Sequence, residues 1–232
     1  MKIIRDKDRY RFNTDWLRAI WHFSFDHYYD PANKGFGTLR VFNEDTIRPA
    51  TGFPPHSHRD MEITTVVLEG ELEHKDSVGN HGVIRPGEVQ VMSAGKGITH
   101  SEFNHSQTEA LHLMQIWILP DKRDHEPRYD QRTYSLEARQ GKLLPVVSGQ
   151  GIPETLWIHQ EATLYLSSLN EGQSVRHASG AGRKTYVFVP SGSVVLNGKE
   201  SLQIGDQVRM QEAGELTLEA RRPTELVMID LP

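Results

Sequence analysis

The amino-acid sequence predicts an all-β protein that contains two tandem β-barrels with short helical or irregular connections. Many short apolar runs are separated by glycine-containing turns, which is typical of a sandwich or barrel rather than an α/β fold. The runs lie on both sides of a polar stretch at residues 121–141, and the second half repeats the pattern of short strands and turns found in the first. One barrel unit used twice is therefore the predicted architecture.

The N-terminal half begins with an aromatic segment, residues 10–31, which we expect to pack on a barrel surface or to form an edge strand. Short strands are then predicted at residues 39–43, 62–68, 71–74, 89–92 and 111–118. Pro120 opens the polar stretch and Pro127 interrupts it, which indicates a linker between two halves.

The C-terminal half is predicted to contain strands at residues 143–147, 155–159, 163–169, 186–189, 193–196, 208–210, 215–218 and 226–229. Asn197-Gly198 is a strong signal for a two-residue hairpin. The two histidines of this half, His159 and His177, have no spacing at which they would share a metal. The second barrel is therefore predicted to be degenerate.

Composition narrows the class of protein. The formal net charge is −5 and the basic residues are scattered, so no surface for direct nucleic-acid binding is predicted. The absence of cysteine excludes disulfides, thiolate catalysis and cysteine-type zinc sites. The N-terminus turns from apolar to charged after four residues, and no run reaches the ~20 apolar residues of a membrane helix. We expect a soluble cytoplasmic protein that does not bind membranes, and we take it to be a monomer.

Two short motifs carry the chemistry. His56-Ser57-His58 and His100-Ser101-Glu102 each place two metal-binding side chains at positions i and i+2. Residues two apart in a β-strand point to the same face, so two neighbouring strands could bring three imidazoles and one carboxylate together. Such a set suits a divalent first-row metal. Strand alternation does not decide between Glu62 and Glu102 as the fourth ligand.

The surroundings of these motifs resemble the cupin superfamily. The first cupin motif corresponds to Gly52, His56, His58, Glu62 and Gly70, and the second to Gly87, Ser93-Ala94-Gly95, His100 and Asn104. The spacing departs from the usual pattern by a residue or two, and serine replaces the usual proline. The resemblance implies a bicupin of jelly-roll type. We assign residues 1–120 to the metal-binding barrel, 121–141 to a polar linker and 142–232 to the degenerate barrel, on which N-terminal residues are candidates to pack.

Within the cupins, the sequence is most similar to the pirin family. The matching strings are Trp21–Phe25 with Tyr29-Asp30-Pro31, Leu39–Val41, Pro55–Glu62, Met92–Glu102 and Leu111–Trp117. The pirin pattern selects His56, His58, His100 and Glu102 as metal ligands, whereas the general cupin pattern would select Glu62. We favour Glu102, which is also a candidate proton acceptor, and expect Glu62 to orient a ligand or to line the pocket.

A substrate pocket is expected beside the metal. Phe53, His112 and Met114 are its candidate residues, although His112 also fits the role of a hydrogen-bonded core histidine. Trp21, Phe23 and Phe25 could wall an aromatic-substrate pocket, with core packing as the simpler role.

The resemblance also implies a function. Bacterial pirin-like proteins are similar in their site to quercetin 2,3-dioxygenases, which open the central ring of a flavonol with O₂ and release carbon monoxide. The implied partners are a small aromatic substrate such as a flavonol, and O₂. The implied cofactor is one divalent transition metal, with Fe²⁺ preferred and Ni, Cu, Mn, Co or Zn as alternatives.

Two other hypotheses remain open. Eukaryotic relatives look like transcriptional co-regulators, so the chain could be a metal- or redox-sensing regulatory binding protein without catalysis. It could also be a metal-binding bicupin that acts on another small metabolite.

Overall fold

The computed structural model describes residues 1–232 and consists almost entirely of β-strands. The first twelve are β1 (Lys2–Ile4), β2 (Tyr10–Asn13), β3 (Leu17–Trp21), β4 (Leu39–Ile47), β5 (Gly52–His58), β6 (Glu62–Glu69), β7 (Leu72–Asp76), β8 (His81–Ile84), β9 (Glu88–Ser93), β10 (Ile98–Asn104), β11 (Leu111–Ile118) and β12 (Arg128–Thr133).

The remaining strands follow a short helix, α1 (Leu136–Arg139). They are β13 (Leu144–Ser148), β14 (Thr163–Leu169), β15 (Ser174–Ser179), β16 (Lys184–Ser191), β17 (Ser193–Leu196), β18 (Glu200–Gln203), β19 (Gln207–Met210), β20 (Gly214–Ala220) and β21 (Thr224–Leu231). A 3₁₀ turn occupies Asp6–Asp8. Neither helical segment has the length and apolarity that crossing a membrane requires.

The strands divide between two units. The N-terminal unit comprises Tyr10–Tyr134 and Leu156–Gln160, and the C-terminal unit comprises Met1–Arg9, Ser135–Thr155 and Glu161–Pro232. The N-terminal unit has sheets of order β12-β9-β6-β11-β4-β3-β2 and β5-β10-β7-β8, and the C-terminal unit has sheets β1-β19-β16-β21-β14-β13 and β15-β20-β17-β18. The predicted all-β fold with two similar jelly-roll units is thus confirmed, although the sheets are open rather than closed barrels.

The boundaries of the units differ from the predicted ones. Residues 128–133, which were assigned to the linker, form β12 at the edge of the seven-stranded sheet, where they pair with β9. An edge strand tolerates polar, partly exposed side chains, and this explains why its sequence resembles a linker. In the C-terminal unit the corresponding edge is formed by β1, which pairs with β19, so the N-terminal residues do pack there.

Residues 155–159 are a second departure from the prediction. They form no strand, and residues 156–160, here called the return segment, belong to the N-terminal unit. Leu156 and Ile158 are buried, and their alternation with exposed residues resembles a strand. Both backbone groups of His159 hold the return segment in place. Its carbonyl accepts a hydrogen bond from Asp121 N–H at 2.6 Å, and its N–H donates to the Glu62 carboxylate.

Candidate metal centre

The pairing of β5 with β10 brings the three predicted histidines together. His56 lies opposite His100 in the register of the two strands, and His58 lies opposite Ile98. The ring centroids are 4.4 Å apart for His56 and His100, 4.8 Å for His56 and His58, and 4.9 Å for His58 and His100. One nitrogen of each ring lies within 4.8 Å of the others, which is a separation that a single ion can bridge.

Local backbone features allow the two strands to approach. Gly52 starts β5 where a Cβ atom would lie 2.2 Å from the carbonyl oxygen of Glu102, so only glycine fits there. The register of β5 against β10 also shifts between His100 and Glu102, as at a β-bulge. The extra residue lies in β5, between Phe53 and His56, so β10 keeps its regular alternation and His100 and Glu102 point to the same face of that strand.

The nitrogen atoms of the cluster fit a metal ion. Nδ1 of His56 lies 2.8 Å from the carbonyl oxygen of Pro54, so Nδ1 carries the proton and Nε2 keeps its lone pair. Nε2 of His100 is buried and has no hydrogen-bond partner. An unpaired buried nitrogen is costly unless another group, such as a cation, satisfies it.

The protonation of these imidazoles also suits metal binding. Burial, followed by the neighbouring rings of His100 and His56, lowers the pKa of His58 to about 4. Burial, followed by His56 and His74, lowers the pKa of His100 to about 3. Both rings are therefore neutral at pH 7, which is the form that coordinates metals.

Glu102 is buried and its carboxylate is held by one amide. Nε2 of Gln115 donates to both carboxylate oxygens, at 3.0 Å and 2.9 Å. Oε1 of Gln115 accepts a hydrogen bond from the indole N–H of Trp117 at 3.1 Å, which fixes the orientation of the amide. The ligand atoms of Glu102, His74 and His100 lie within 4.8 Å of one another, so His100 stands between this group and the three-histidine cluster.

Glu62 has a different environment. Its buried carboxylate accepts a hydrogen bond from Ser93 Oγ at 2.7 Å and another from the backbone N–H of His159. Burial raises its pKa, and these two hydrogen bonds oppose the rise. Glu62 is not among the residues that line the cavity beside the histidines, and its partners lie on β9 and the return segment.

A cavity of about 530 Å³ opens beside His56, His58 and Glu102. Six aromatic residues line it, namely Phe12, Trp16, Trp21, Phe25, Phe53 and Trp117, and its polar residues include Asn43, Asp45 and Gln115. Phe53, Trp21 and Phe25 line the cavity, whereas Phe23 does not. His112 and Met114 do not line it either, because side chains alternate along β11 and those of Gln115 and Trp117 face the cavity.

A row of polar side chains crosses the sheet beside this cavity. The register pairs Gln90 with Thr65, Thr65 with Gln115, and Gln115 with Asn43, and all except the half-buried Gln115 are fully buried. Buried oxygens of Asn43, Thr65 and Gln90 have no hydrogen-bond partner. Sequence reasoning missed this row; its only signal was polar residues at inward positions of otherwise apolar strands.

Asp45 is a further cavity residue that the sequence did not indicate. It is buried, and its Oδ1 has no hydrogen-bond partner. Burial, followed by the charges of Glu102 and Glu44, raises the pKa of Asp45 to about 8. At neutral pH its carboxyl group is therefore mainly protonated and can both donate and accept a hydrogen bond.

Asp121, His125 and His159 form another cluster in the N-terminal unit, with ligand atoms within 4.8 Å of one another. Nε2 of His125 lies 2.7 Å from Asp121 Oδ1, and the rings of His125 and His159 stack at 3.6 Å with 14° between their planes. Nearly parallel stacked rings direct their lone pairs side by side rather than to one point, so this arrangement is a packing contact of the return segment.

The fold and the histidine cluster define a two-unit cupin with a metal centre in its N-terminal unit. The chain matches the Pirin family over residues 4–118 and the Quercetinase C-terminal cupin domain over residues 145–231. It is 43% identical to quercetin 2,3-dioxygenase of Escherichia coli (strain K12) over 221 residues, 95% of this chain and 94% of that protein. It is 39% identical to a pirin-like protein of Caulobacter vibrioides over 216 residues, 93% and 92% of the two chains.

A solved structure agrees with these matches. The crystal structure of the bacterial pirin YhhW from Escherichia coli in complex with nickel(II) superposes with a TM-score of 0.94 and 39% identity, over 100% of this chain and 98% of that chain. The chain therefore belongs to the pirin family of the cupin superfamily.

Proposed function

We propose that this protein is a metal-dependent dioxygenase that opens the central ring of a flavonol such as quercetin, with uptake of O₂ and release of carbon monoxide. The observation that carries the proposal is the cluster of three imidazoles beside an aromatic cavity, whose wall includes His56, His58 and Glu102. Its volume of about 530 Å³ lies within the range of cavities that hold small organic ligands. Relatives that carry the name quercetin 2,3-dioxygenase support the reaction.

His56, His58, His100 and Glu102 are the proposed ligands of one divalent metal, with Fe²⁺ as the preferred ion and Ni²⁺ next because of the nickel complex of YhhW. When bound, such an ion supplies Lewis acidity that stabilises an anionic oxygen of the substrate. Three neutral imidazoles and one carboxylate leave a net charge of about +1 on a divalent ion, and this charge attracts a flavonolate.

The residues of the cavity have separate roles in this proposal. The aromatic wall, which includes Trp21 and Phe53, packs against the planar rings of the substrate and excludes water. Glu102 accepts the proton of the flavonol 3-hydroxyl, with Gln115 holding its carboxylate in place. The carboxyl of Asp45 forms a hydrogen bond with another hydroxyl of the substrate, which satisfies its unpaired oxygen.

The test is reconstitution of metal-free protein with one equivalent of Fe²⁺ without oxygen, and with Ni²⁺ in parallel, before quercetin is added in air. We expect equal amounts of quercetin and O₂ to be consumed and an equal amount of carbon monoxide to be released. The rate should rise with pH as the flavonol ionises, and then level off. If the metal-replete protein consumes no quercetin, the dioxygenase proposal fails and the metal- or redox-sensing regulatory function becomes the leading hypothesis.

The ligand set has its own test. Glu102→Ala should reduce metal content more than Glu62→Ala, because the carboxylate of Glu62 is occupied by Ser93 and the return segment. Metal per chain after dialysis, measured by elemental analysis, distinguishes the two variants. The reverse order would show that the general cupin ligand set applies.

A further inference from the structure

Two buried residues lie directly behind the imidazole of His100. Strand β7 pairs with β10 so that Asp76 lies opposite His100 and His74 lies opposite Glu102. The side chains of His74 and Asp76 have no exposed surface. Nε2 of His74 is 3.2 Å from Asp76 Oδ2, and Nδ1 of His74 is 3.5 Å from Nδ1 of His100. The three groups therefore form a line that ends at a nitrogen of His100.

The hydrogen bonds of Asp76 determine the direction of this line. Its carboxylate accepts from the backbone N–H groups of Val78 and Asn80, at 3.0 Å and 2.9 Å, and from the side-chain amide of Asn80 at 2.9 Å. A carboxylate surrounded by donors acts as an acceptor for Nε2–H of His74 as well. With its proton on Nε2, His74 has a lone pair at Nδ1 and accepts from Nδ1–H of His100. Nε2 of His100, the buried nitrogen without a partner, is left unprotonated.

We infer that His74 and Asp76 are positioning residues that hold His100 in the tautomer and orientation in which its Nε2 binds metal. Carboxylate and histidine groups behind a metal ligand fix its ring and raise its basicity, and their loss typically lowers metal affinity by about 10–100-fold. The inference rests on the proposed metal site. The contact of 3.5 Å is long for a hydrogen bond, and binding of a cation at Nε2 would strengthen it by polarising Nδ1–H.

Two other roles for these residues lead to different results. Asp76 could have the sole role of stabilising the turn at residues 76–80, since its carboxylate accepts hydrogen bonds from the backbone N–H groups of that turn. His74 could itself be a metal ligand, because its ring lies within 4.8 Å of the ligand atoms of His100 and Glu102. A substitution at His74 leaves the turn bonds of Asp76 intact, so His74 separates the first alternative from the inference.

The experiment measures binding of Co²⁺ and Ni²⁺ to metal-free protein by competition with a chromophoric chelator, together with the visible spectrum of the Co²⁺ form. His74→Phe keeps a planar ring of similar size but has no nitrogen. We expect it to lower affinity about 10–100-fold with one ion still bound at saturation, and to change the Co²⁺ spectrum because His100 is reoriented. His74→Gln, whose amide can accept from His100 and donate to Asp76, should recover part of the affinity.

Asp76→Asn and the double variant complete the test. The double variant His74→Phe/Asp76→Asn should bind metal about as tightly as His74→Phe alone, because the two residues act through one path. The matched control is His81→Phe, which removes an exposed histidine that lies 2.9 Å from Glu73 on the neighbouring strand. It should leave affinity and spectrum unchanged. Circular dichroism of each metal-free variant verifies that the fold is intact.

Each contrary result has a definite meaning. If His74→Phe binds as tightly as the wild type, or if only Asp76→Asn is affected, the positioning role is wrong and Asp76 serves its turn. If His74→Phe loses the metal as completely as His100→Ala, His74 is a direct ligand and the positioning role is again wrong. Failure of the wild-type protein to bind any metal would refute the proposed centre itself, which is a distinguishable outcome.

Discussion

The two units share a strand order, apart from β2 at the edge of the larger N-terminal sheet, but fill it with different side chains. Strand β10 in the N-terminal unit and β20 in the C-terminal unit occupy the same place in their four-stranded sheets. The buried positions of β10 include His100, Glu102 and Asn104, whereas those of β20 are Leu216, Leu218 and Ala220. The same alternation therefore places proposed metal ligands in one unit and apolar core residues in the other.

The larger sheets show the same contrast. The polar row of Gln90, Thr65, Gln115 and Asn43 corresponds to a row of Val208, Val187, Met228 and Tyr165 in the C-terminal unit. Val208, Val187 and Met228 belong to a continuous cluster of fourteen buried apolar residues, against which Tyr165 packs. Asn43 and Gln115 of the polar row line the cavity of the N-terminal unit, whereas the corresponding residues of the C-terminal unit pack into its apolar cluster. The proposed metal site and this apolar cluster of fourteen residues therefore lie in different copies of one fold.

The largest expected effect is on metal binding. His58→Ala removes one imidazole of the cluster and leaves an incomplete set of ligands, so most of the metal should be lost. The metal-free variant should retain its fold, because the apolar clusters of both units do not include His58. Elemental analysis and circular dichroism measure the two properties. A variant that keeps one metal per chain would contradict the assignment of His58.

The complementary experiment changes an apolar core residue of the C-terminal unit. Leu218 is fully buried in its apolar cluster, so Leu218→Ala should lower the free energy of unfolding by about 2–5 kcal/mol. Metal content per folded chain should be unchanged. Urea unfolding of the metal-free protein provides the measurement. A loss of metal from the folded Leu218→Ala protein would show that the proposed metal site depends on the apolar cluster of the C-terminal unit.

A smaller and pH-dependent effect is expected at Asp45. Its pKa of about 8 in the folded protein exceeds the ordinary value of 3.8, so the folded state holds the proton more tightly than the unfolded state. The corresponding stabilisation is fully present below about pH 4 and is lost as the pH rises through about 8. Because one pKa unit corresponds to about 1.4 kcal/mol, Asp45→Asn should be more stable than the wild type by up to about 5 kcal/mol at pH 8, with a smaller gain at lower pH.

The measurement for Asp45 is urea unfolding of metal-free protein between pH 5 and pH 8. Ser167→Ala is the control, because Ser167 is buried and cannot ionise. It lies on β14, the strand of the C-terminal unit whose position in the sheet matches that of β4. Its effect should not vary with pH. If the difference in the free energy of unfolding between Asp45→Asn and the wild type is the same at every pH in this range, Asp45 is ionised normally in the folded protein.

Short-range patterns in the sequence determined the fold class, the repetition of one unit and the two His-containing motifs. Alternation with a period of two and the spacing of ligands within one strand depend only on neighbouring residues, so they can be recognised along the chain. Composition excluded cysteine chemistry in the same way. The pirin resemblance also depended on local strings, and it agrees with the family match.

The contacts between segments that are distant in sequence depend on the folded structure. The pairing of β1 with β19, the position of the return segment beside Glu62 and the alignment of His74 and Asp76 behind His100 all join residues far apart in sequence. Strand β4 continues to Ile47 through Glu44 and Asp45, which no β-propensity would favour. Such choices follow from burial and hydrogen bonding summed over a whole unit, and these energies exist only once the strands have paired.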